Sequence, residues 1–161
     1  MADNLIPELA GRPAIVFCDF DGTVTLGDVT DVLLEKLADP QWIEIEERWV
    51  NGDLDDCECM AQQVSLIRGD WQKITEVIDE IKIDPNFKSF VSLCKKANIL
   101  VYIGSNGLDR VIEYVLAKEN IEIDGYWAYH LLEENGWALK FPTNEARAIA
   151  KLKIVLPANV H

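Results

Sequence analysis

The stretch AIVFCDFDGTVT, residues 14–25, decides the fold class that the sequence predicts. Its first five residues are apolar, and a short unbroken apolar run is typical of a parallel strand that is buried on both faces. An acidic loop that contains a glycine, residues 19–25, follows this run directly. Because sites in parallel sheets form at the carboxyl ends of the strands, we expect a functional site at this loop.

A second apolar run of the same kind lies downstream, at residues 99–103. It ends in the polar loop Gly104-Ser105-Asn106-Gly107, and apolar residues at helical spacing predict a helix on each side, at 87–97 and 108–119. The two polar loops both follow predicted parallel strands, so both belong to the carboxyl edge of the sheet.

The segment between the two loops, residues 28–82, shows apolar residues at helical spacing and no strand pattern, which predicts about four helices. Beyond the second loop, residues 121–123 favour a short third strand. The turn Glu134-Asn135-Gly136 predicts a hairpin over residues 126–141, and a last helix is expected at 145–152.

This order of elements predicts an α/β fold, a Rossmann-like parallel sheet with a helical cap inserted after the first strand. The predicted core comprises residues 1–26 and 84–161, and the predicted cap comprises residues 27–83. A single domain with an insertion is the expected size for 161 residues.

The loop 19–25 carries the residue types that phosphoryl transfer needs. Asp19 is placed to attack phosphorus, to bind a metal ion, or both, and Asp21 can exchange a proton with the leaving oxygen. Gly22 lets the backbone approach a phosphate, and the hydroxyls of Thr23 and Thr25 can hold the loop. A hard cation such as Mg²⁺ suits these oxygen ligands. A solvated acidic turn is the alternative for the two aspartates alone.

Ser105 allows two interpretations of the second loop. Its hydroxyl, with the backbone N–H groups of Asn106 and Gly107 at a helix start, would make a phosphate cradle. It is equally compatible with an N-cap serine that satisfies helix N–H groups.

The two loops together resemble the haloacid dehalogenase superfamily. Residues 15–25 match its first motif, a hydrophobic run followed by DxDGTxT, and residues 101–107 resemble its second motif, a strand that ends in Ser or Thr. The resemblance implies a Mg²⁺-dependent phosphatase that works through an aspartyl-phosphate. Asp19 would be nucleophile and metal ligand, Asp21 would be acid/base with its backbone carbonyl on the metal, and Ser105 would bind phosphate. The full set of expected phosphate-binding residues is Gly22, Thr23, Ser105, Asn106, Gly107 and Lys153.

The predicted cap most resembles those of phosphoserine phosphatases and of 2-hydroxy-3-keto-5-methylthiopentenyl-1-phosphate phosphatases. Asp28 falls where the former keep an acid that contacts the substrate amino group. Gln63 stands where they use an arginine for the substrate carboxylate, which disfavours phosphoserine and favours the methionine-salvage-like group. Trp42 and Trp49 either line the cap or belong to its core.

The later motifs of the superfamily are harder to find. Lys151 and Lys153 are candidates for the third-motif lysine, with Lys140 a weaker one, although a solvated lysine is an equal alternative. No Asp or Glu follows Glu145, so the acids of the fourth motif are missing from this sequence. A truncated product, a chain completed by self-association, and a catalytically weak relative that binds phosphate compounds are three explanations. Asp28 or Asp109 as a replacement ligand has no support in the sequence.

Composition limits the partners. A formal net charge of −13 disfavours nucleic acid and anionic membranes, and no apolar stretch is long enough to span a bilayer. The four cysteines are expected to be reduced thiols, since their spacing does not suit a zinc site. We expect a cytoplasmic protein that acts on a small phosphorylated metabolite. A homodimer is possible, because the sheet would otherwise leave an apolar edge exposed.

Overall fold

The structure, a computed structural model, describes residues 14–142. Its ten elements are six helices and four strands, and helices separate the first three strands along the chain, as expected of an α/β fold. They are β1 (Ala14–Cys18), α1 (Val29–Leu37), α2 (Trp42–Val50), α3 (Asp56–Ser65), α4 (Trp71–Ile78), α5 (Phe87–Lys96), β2 (Ile99–Leu108), α6 (Asp109–Lys118), β3 (Gly125–Glu134) and β4 (Gly136–Lys140). The helix expected at 145–152 and the candidates Lys151 and Lys153 lie outside the described residues.

The four strands form one sheet in the order β1-β2-β3-β4. The first three strands are parallel, and β4 returns antiparallel to β3 in the expected hairpin. The fold class is therefore confirmed. The division into a core and a cap stays a prediction, since one continuous buried cluster contains Leu33 and Ile74 from the helical segment together with Val101 and Ile112.

Two local predictions about the strands are wrong. The second strand does not end at residue 103, because its pairing with β3 shifts after Gly104 and resumes where Leu108 pairs with Tyr129. Residues 104–107 thus form an irregular stretch within β2 rather than a loop after it. Residues 121–123 are not a strand. Instead Asp124 pairs with Val101, donating its N–H to the carbonyl at 2.9 Å and accepting the Val101 N–H on its carboxylate at 2.7 Å.

The helical insertion, which we define as residues 27–83, has the four helices that the sequence predicts. The carboxylate of Asp70 caps α4 by accepting the N–H of Lys73. The insertion joins the sheet through a neck in which residues 24–26 and 82–84 run antiparallel. The N–H of Leu26 donates to the carbonyl of Lys82 at 2.8 Å, and the N–H of Asp84 donates to the carbonyl of Val24 at 2.9 Å. The insertion therefore begins and ends at adjacent points.

Within residues 14–142, only one face of the sheet around β1 and β2 is covered. Val101 and Ile103 are fully buried on that face. On the opposite face Phe17, Tyr102 and Trp127, from three strands, form an aromatic cluster in which each pair of ring centroids is 5.3 to 5.7 Å apart. Phe17 is 36% exposed, so the expectation that β1 is buried on both faces is wrong for the described residues.

Two further findings concern the described part of the chain. None of its helices is long and apolar enough to cross a membrane. Its four cysteines, Cys18, Cys57, Cys59 and Cys94, are free thiols, as the sequence predicts.

Candidate active site

A cavity of about 370 Å³ opens where the strand ends face the helical insertion. This volume lies within the usual range for small-molecule sites. We call the side that comes from the sheet the strand-end half; it consists of Asp19, Asp21, Ser105, Asn106, Gly107 and Tyr129. We call the other side the insertion half; it consists of Asp28, Thr30, Asp31, Glu46, Trp49, Asp56, Cys59, Met60 and Gln63.

The loop after β1 is fastened to the core by Phe20 and Thr25. The Phe20 side chain is buried, and its carbonyl accepts the N–H groups of Thr23, Val24 and Thr25 at 3.2, 2.9 and 3.1 Å. The fully buried Thr25 hydroxyl lies 3.2 Å from the same carbonyl and 2.7 Å from that of Gly27. Gly22 has a φ of 70°, a conformation that favours glycine. The loop is therefore tied back at its centre, while Asp19 and Asp21 reach the cavity.

The two loop aspartates differ in their surroundings. Asp19 accepts the N–H of Phe20 at 2.7 Å, and Asp21 accepts the N–H of Val29, the first residue of α1, at 2.8 Å. Burial, and then the nearby carboxylates of Asp28, Asp19 and Asp31, raise the pKa of Asp21 to about 6 against the opposing effect of the Val29 N–H. A carboxyl group with such a pKa can both give and accept a proton near neutral pH.

Ser105, Gly107 and Asp21 pack against one another at the end of β2. The Gly107 N–H donates to Ser105 Oγ at 2.8 Å. A Cβ atom at Gly107 would lie 2.8 Å from Asp21 Oδ2 and 3.0 Å from Ser105 Oγ, so only glycine fits here without displacing them. The two predicted loops thus meet in one site. The phosphate cradle itself stays a prediction, and the Gly107 N–H already has a partner in Ser105.

Asp28 and Gln63 both line the cavity, and both also have structural roles. Asp28 is the N-cap of α1 and accepts the N–H of Asp31 at 3.0 Å. The buried Gln63 donates its side-chain amide to Glu46 Oε2 at 2.7 Å. Asp109 does not line the cavity, since its carboxylate accepts the Leu131 N–H at 2.8 Å and contacts His130.

Sequence reasoning did not single out most of the insertion half, although a signal was present. Asp56, Cys59, Met60 and Gln63 recur at the spacing of one helix face on α3, and Glu46 and Trp49 are three residues apart on α2. Trp42, in contrast, packs against the hydrophobic core. The residues that line the cavity but were not predicted are Thr30, Asp31, Glu46, Asp56, Cys59, Met60 and Tyr129.

The potential in the cavity is negative. Six of its lining residues are acidic and, among the residues that the structure describes, no Lys, Arg or His lines it. Burial and the carboxylates of Asp28, Glu46 and Glu35 raise the pKa of Asp31. Burial, Glu46 and Asp56 likewise raise the pKa of Cys59 to about 11. The carboxylates of Asp28, Glu46 and Asp56 therefore act on their neighbours from the insertion half.

Asp19 and Asp21 are the residues of the strand-end half that could hold a magnesium ion. Within residues 14–142 no group of three or more His, Cys, Asp or Glu side chains is arranged to hold a metal ion. Magnesium sites in phosphoryl-transfer enzymes commonly use only one or two carboxylates, with water and substrate phosphate as the other ligands. Asp19 and Asp21 fit that limited requirement.

The sequence of the chain is similar to those of known hydrolases. The sequence profile of the haloacid dehalogenase-like hydrolases matches residues 16–151. A 2-hydroxy-3-keto-5-methylthiopentenyl-1-phosphate phosphatase from Brevibacillus brevis is 31% identical over 108 residues, which cover 66% of this chain and 49% of that protein. The chain spans about half the length of the curated relatives it matches.

Two solved structures show the same fold at low sequence identity. A HAD family hydrolase from Salmonella enterica serovar Typhi has a TM-score of 0.66 and 19% identity, covering 81% of this chain and 47% of the other. A probable phosphoserine phosphatase from Vibrio cholerae has a TM-score of 0.65 and 21% identity, covering 79% of this chain and 39% of the other.

Proposed function

The chain belongs to the haloacid dehalogenase-like hydrolase family, and from this premise we propose that it hydrolyses a small phosphomonoester with the help of Mg²⁺ and through an aspartyl-phosphate. The observation that carries the proposal is the meeting of Asp19, Asp21 and Ser105 in one cavity, with Gly107 packed against two of them. The phosphatase relative from Brevibacillus brevis supports the same class of reaction.

In the proposed reaction the Asp19 carboxylate attacks phosphorus, and the bond from phosphorus to the substrate oxygen breaks. Asp21 gives its proton to the departing alkoxide, so that an alcohol leaves. Asp21 then takes a proton from water, which attacks the acyl phosphate and releases inorganic phosphate and free Asp19. The raised pKa of Asp21 supports this double role, because the protonated form is populated near neutral pH.

Other residues of the strand-end half would position the phosphoryl group. Ser105 Oγ accepts from Gly107, which leaves its own proton to donate to a phosphate oxygen. We propose Asn106 as a further phosphate contact, together with Gly22 and Thr23, which belong to the loop after β1 and are not among the residues that line the cavity. Mg²⁺ held by the Asp19 carboxylate and the Asp21 backbone carbonyl would neutralise charge on the phosphoryl oxygens. Lys153 lies outside the described residues and remains a proposed phosphate ligand from the sequence alone.

The test is turnover of p-nitrophenyl phosphate with and without Mg²⁺. We expect Asp19→Asn to lower kcat at least about a thousandfold, since the amide cannot form the acyl phosphate. Asp53→Asn, on the exposed turn between α2 and α3, is the matched control and should keep full activity. Equal turnover by the Asp19 variant and the wild type would contradict the proposal.

A second interpretation is a protein of this fold that binds phosphate compounds without hydrolysing them. It is favoured by the lack, in residues 14–142, of a larger set of metal-ligating side chains around Asp19 and Asp21. Beryllium trifluoride with Mg²⁺ separates the two, because it forms an aspartyl-phosphate mimic only on a competent carboxylate. Fluorine NMR signals that depend on Asp19 would favour the phosphatase. Phosphate binding without those signals or turnover would favour the second interpretation.

A further inference from the structure

The insertion half of the cavity presents negative charge that the described chain does not neutralise. Among residues 14–142 no ion pair involves Asp31 or Glu46. The hydrogen-bond donors to Glu46 Oε2 are the neutral amide of Gln63 at 2.7 Å and the Cys59 thiol at 4.0 Å. A neutral amide supplies a hydrogen bond but no counter-charge, and the cavity wall therefore favours a cation.

A hydroxyl in the same wall is available to a ligand. Thr30 lines the cavity between Asp28 and Asp31, and the residue is only 6% exposed. Its hydroxyl forms no hydrogen bond with residues 14–142, and it is accessible from the cavity, since none of the described side-chain oxygens is both fully buried and unpartnered. The hydroxyl can therefore bond with a ligand group at this depth.

The apolar part of the wall is aromatic and soft rather than aliphatic. Trp49 lines the cavity and donates its indole N–H to Asp56 at 2.9 Å, which fixes the ring beside a carboxylate. Met60 belongs to the same wall, and Tyr129 of the strand-end half also lines the cavity. Aromatic faces next to carboxylates suit an ammonium group, since the ring quadrupole and the carboxylates both attract positive charge.

Among residues 14–142, no cationic group on this wall can pair with a substrate carboxylate. Gln63 reaches the cavity from α3, and its amide nitrogen is already bonded to Glu46. A carboxylate placed there would face Glu46 and Asp31 without a counter-charge, which is strongly unfavourable in a partly buried site.

From these observations we infer that the cavity selects a phosphomonoester whose alcohol part carries an ammonium group and no carboxylate. The inference rests on the proposed phosphatase function and specifies its substrate class. The phosphate would lie in the strand-end half, and the ammonium group would lie between Glu46, Asp31 and the Trp49 ring, with the Thr30 hydroxyl beside it.

Three probe compounds isolate the two parts of the inference. O-phosphoethanolamine and n-propyl phosphate have nearly the same shape and differ in the charge of the terminal group. O-phosphoserine differs from O-phosphoethanolamine only by an added carboxylate. We expect kcat/KM for O-phosphoethanolamine to exceed that for each of the others at least about tenfold. Equal values for O-phosphoethanolamine and n-propyl phosphate would overturn the inference, and so would a preference for O-phosphoserine.

A matched pair of variants assigns the preference to this wall. Glu46→Gln keeps an oxygen for the Gln63 amide but removes the charge, and it should reduce the ratio of O-phosphoethanolamine to n-propyl phosphate about fivefold. Glu47→Gln makes the same change on the exposed side of α2 and should leave the ratio unchanged. An unchanged ratio in Glu46→Gln would overturn the assignment. If that variant does not fold, Asp31→Asn takes its place.

Binding measurements separate failure of this inference from failure of the proposed function. If no phosphomonoester is hydrolysed, the phosphatase proposal fails, and calorimetry of O-phosphoethanolamine against n-propyl phosphate still tests the charge preference. A Kd at least about tenfold lower for the ammonium compound supports the inference. Equal Kd values, or binding of neither compound, overturn it.

Discussion

The strand-end half and the insertion half of the cavity differ in how their side chains are held. In the strand-end half, Asp21 and Ser105 are fixed by backbone N–H groups and pressed against Gly107. In the insertion half, Asp31 and Glu46 project from helix faces and have no ion-pair partner in residues 14–142. We infer that the chemical step requires reacting side chains held in one rigid arrangement. Substrate choice instead depends on a charged surface whose side chains can be substituted one at a time.

The largest expected effect concerns the free energy that the buried Asp21 carboxylate of the strand-end half costs the native state. We expect Asp21→Asn to raise the free energy of unfolding by up to about 3 kcal/mol near pH 7 in metal-free buffer. The reason is that folding raises the pKa of this carboxyl from 3.8 to about 6, so its ionised form is penalised in the native state. Asn keeps an oxygen for the Val29 N–H and removes the charge.

The sign of this effect sets its pH dependence. Below a pH of about 3.8 both states are protonated and the gain should vanish; it should grow as pH rises and level off above about 6. Urea denaturation at several pH values measures it, with Asp53→Asn as the control for an exposed aspartate. If the increase in the free energy of unfolding were the same at all pH values, the ionised Asp21 carboxylate would not destabilise the native state.

The second test disturbs the packing of the strand-end half directly. Gly107→Ala would bring a methyl group within 2.8 Å of Asp21 Oδ2 and 3.0 Å of Ser105 Oγ. We expect kcat/KM to fall about a hundredfold, because small displacements of reacting groups have effects of this size. Gly104→Ala is the control, since a Cβ there meets no heavy atom within 4 Å. Equal losses in both variants would argue against a rigid constellation.

The third test removes the buried anchor of the loop after β1. Thr25→Val deletes the hydroxyl that contacts the carbonyls of Phe20 and Gly27 and should lower the free energy of unfolding by about 1 to 2 kcal/mol. Thr25→Ser keeps the hydroxyl and should lose less. Denaturant titrations with an unchanged m-value measure the difference; if serine and valine destabilise equally, the hydroxyl is not the anchor.

The smallest effect is expected in the insertion half. Trp49→Phe removes the indole N–H that donates to Asp56 but keeps an aromatic ring. We expect KM for O-phosphoethanolamine to rise about two- to threefold with little change in kcat, since Trp49 is 40% exposed and contributes to binding only. Trp42→Phe, on the core side of α2, is the control. A fall in kcat as large as that of Gly107→Ala would remove the distinction between the two halves.

The sequence predicted the strand-end half better than the insertion half for a physical reason. Asp19 and Asp21 follow one apolar run and Ser105 follows another, so local order along the chain places all three at one edge of a sheet. The insertion half combines residues of α1, α2 and α3, whose mutual orientation depends on packing between distant segments. Helical spacing could have shown that Asp56 and Gln63 share a face, but not that this face meets Glu46.

The fold was predictable to a similar depth. Apolar residues at helical spacing predicted the four helices of the insertion, and unbroken apolar runs predicted the first two strands. The Asn135–Gly136 turn predicted the hairpin. Residues 121–123 were misassigned because their apolar alternation resembles a strand, whereas Asp124 takes the pairing position beside Val101. The irregular stretch at 104–107 depends on the register with β3, which no local pattern encodes.

The antiparallel neck at residues 24–26 and 82–84 has a consequence for how such proteins diversify. The two ends of residues 27–81 lie side by side in the neck. We therefore expect that replacing this segment costs little in loop-closure entropy and leaves the strands in place. A chimaera can combine the segment that corresponds to residues 27–81 in one relative with the strand ends of another. We expect its substrate selectivity to follow the first protein and its reaction to follow the second. Recombination at two adjacent points would exchange one without the other.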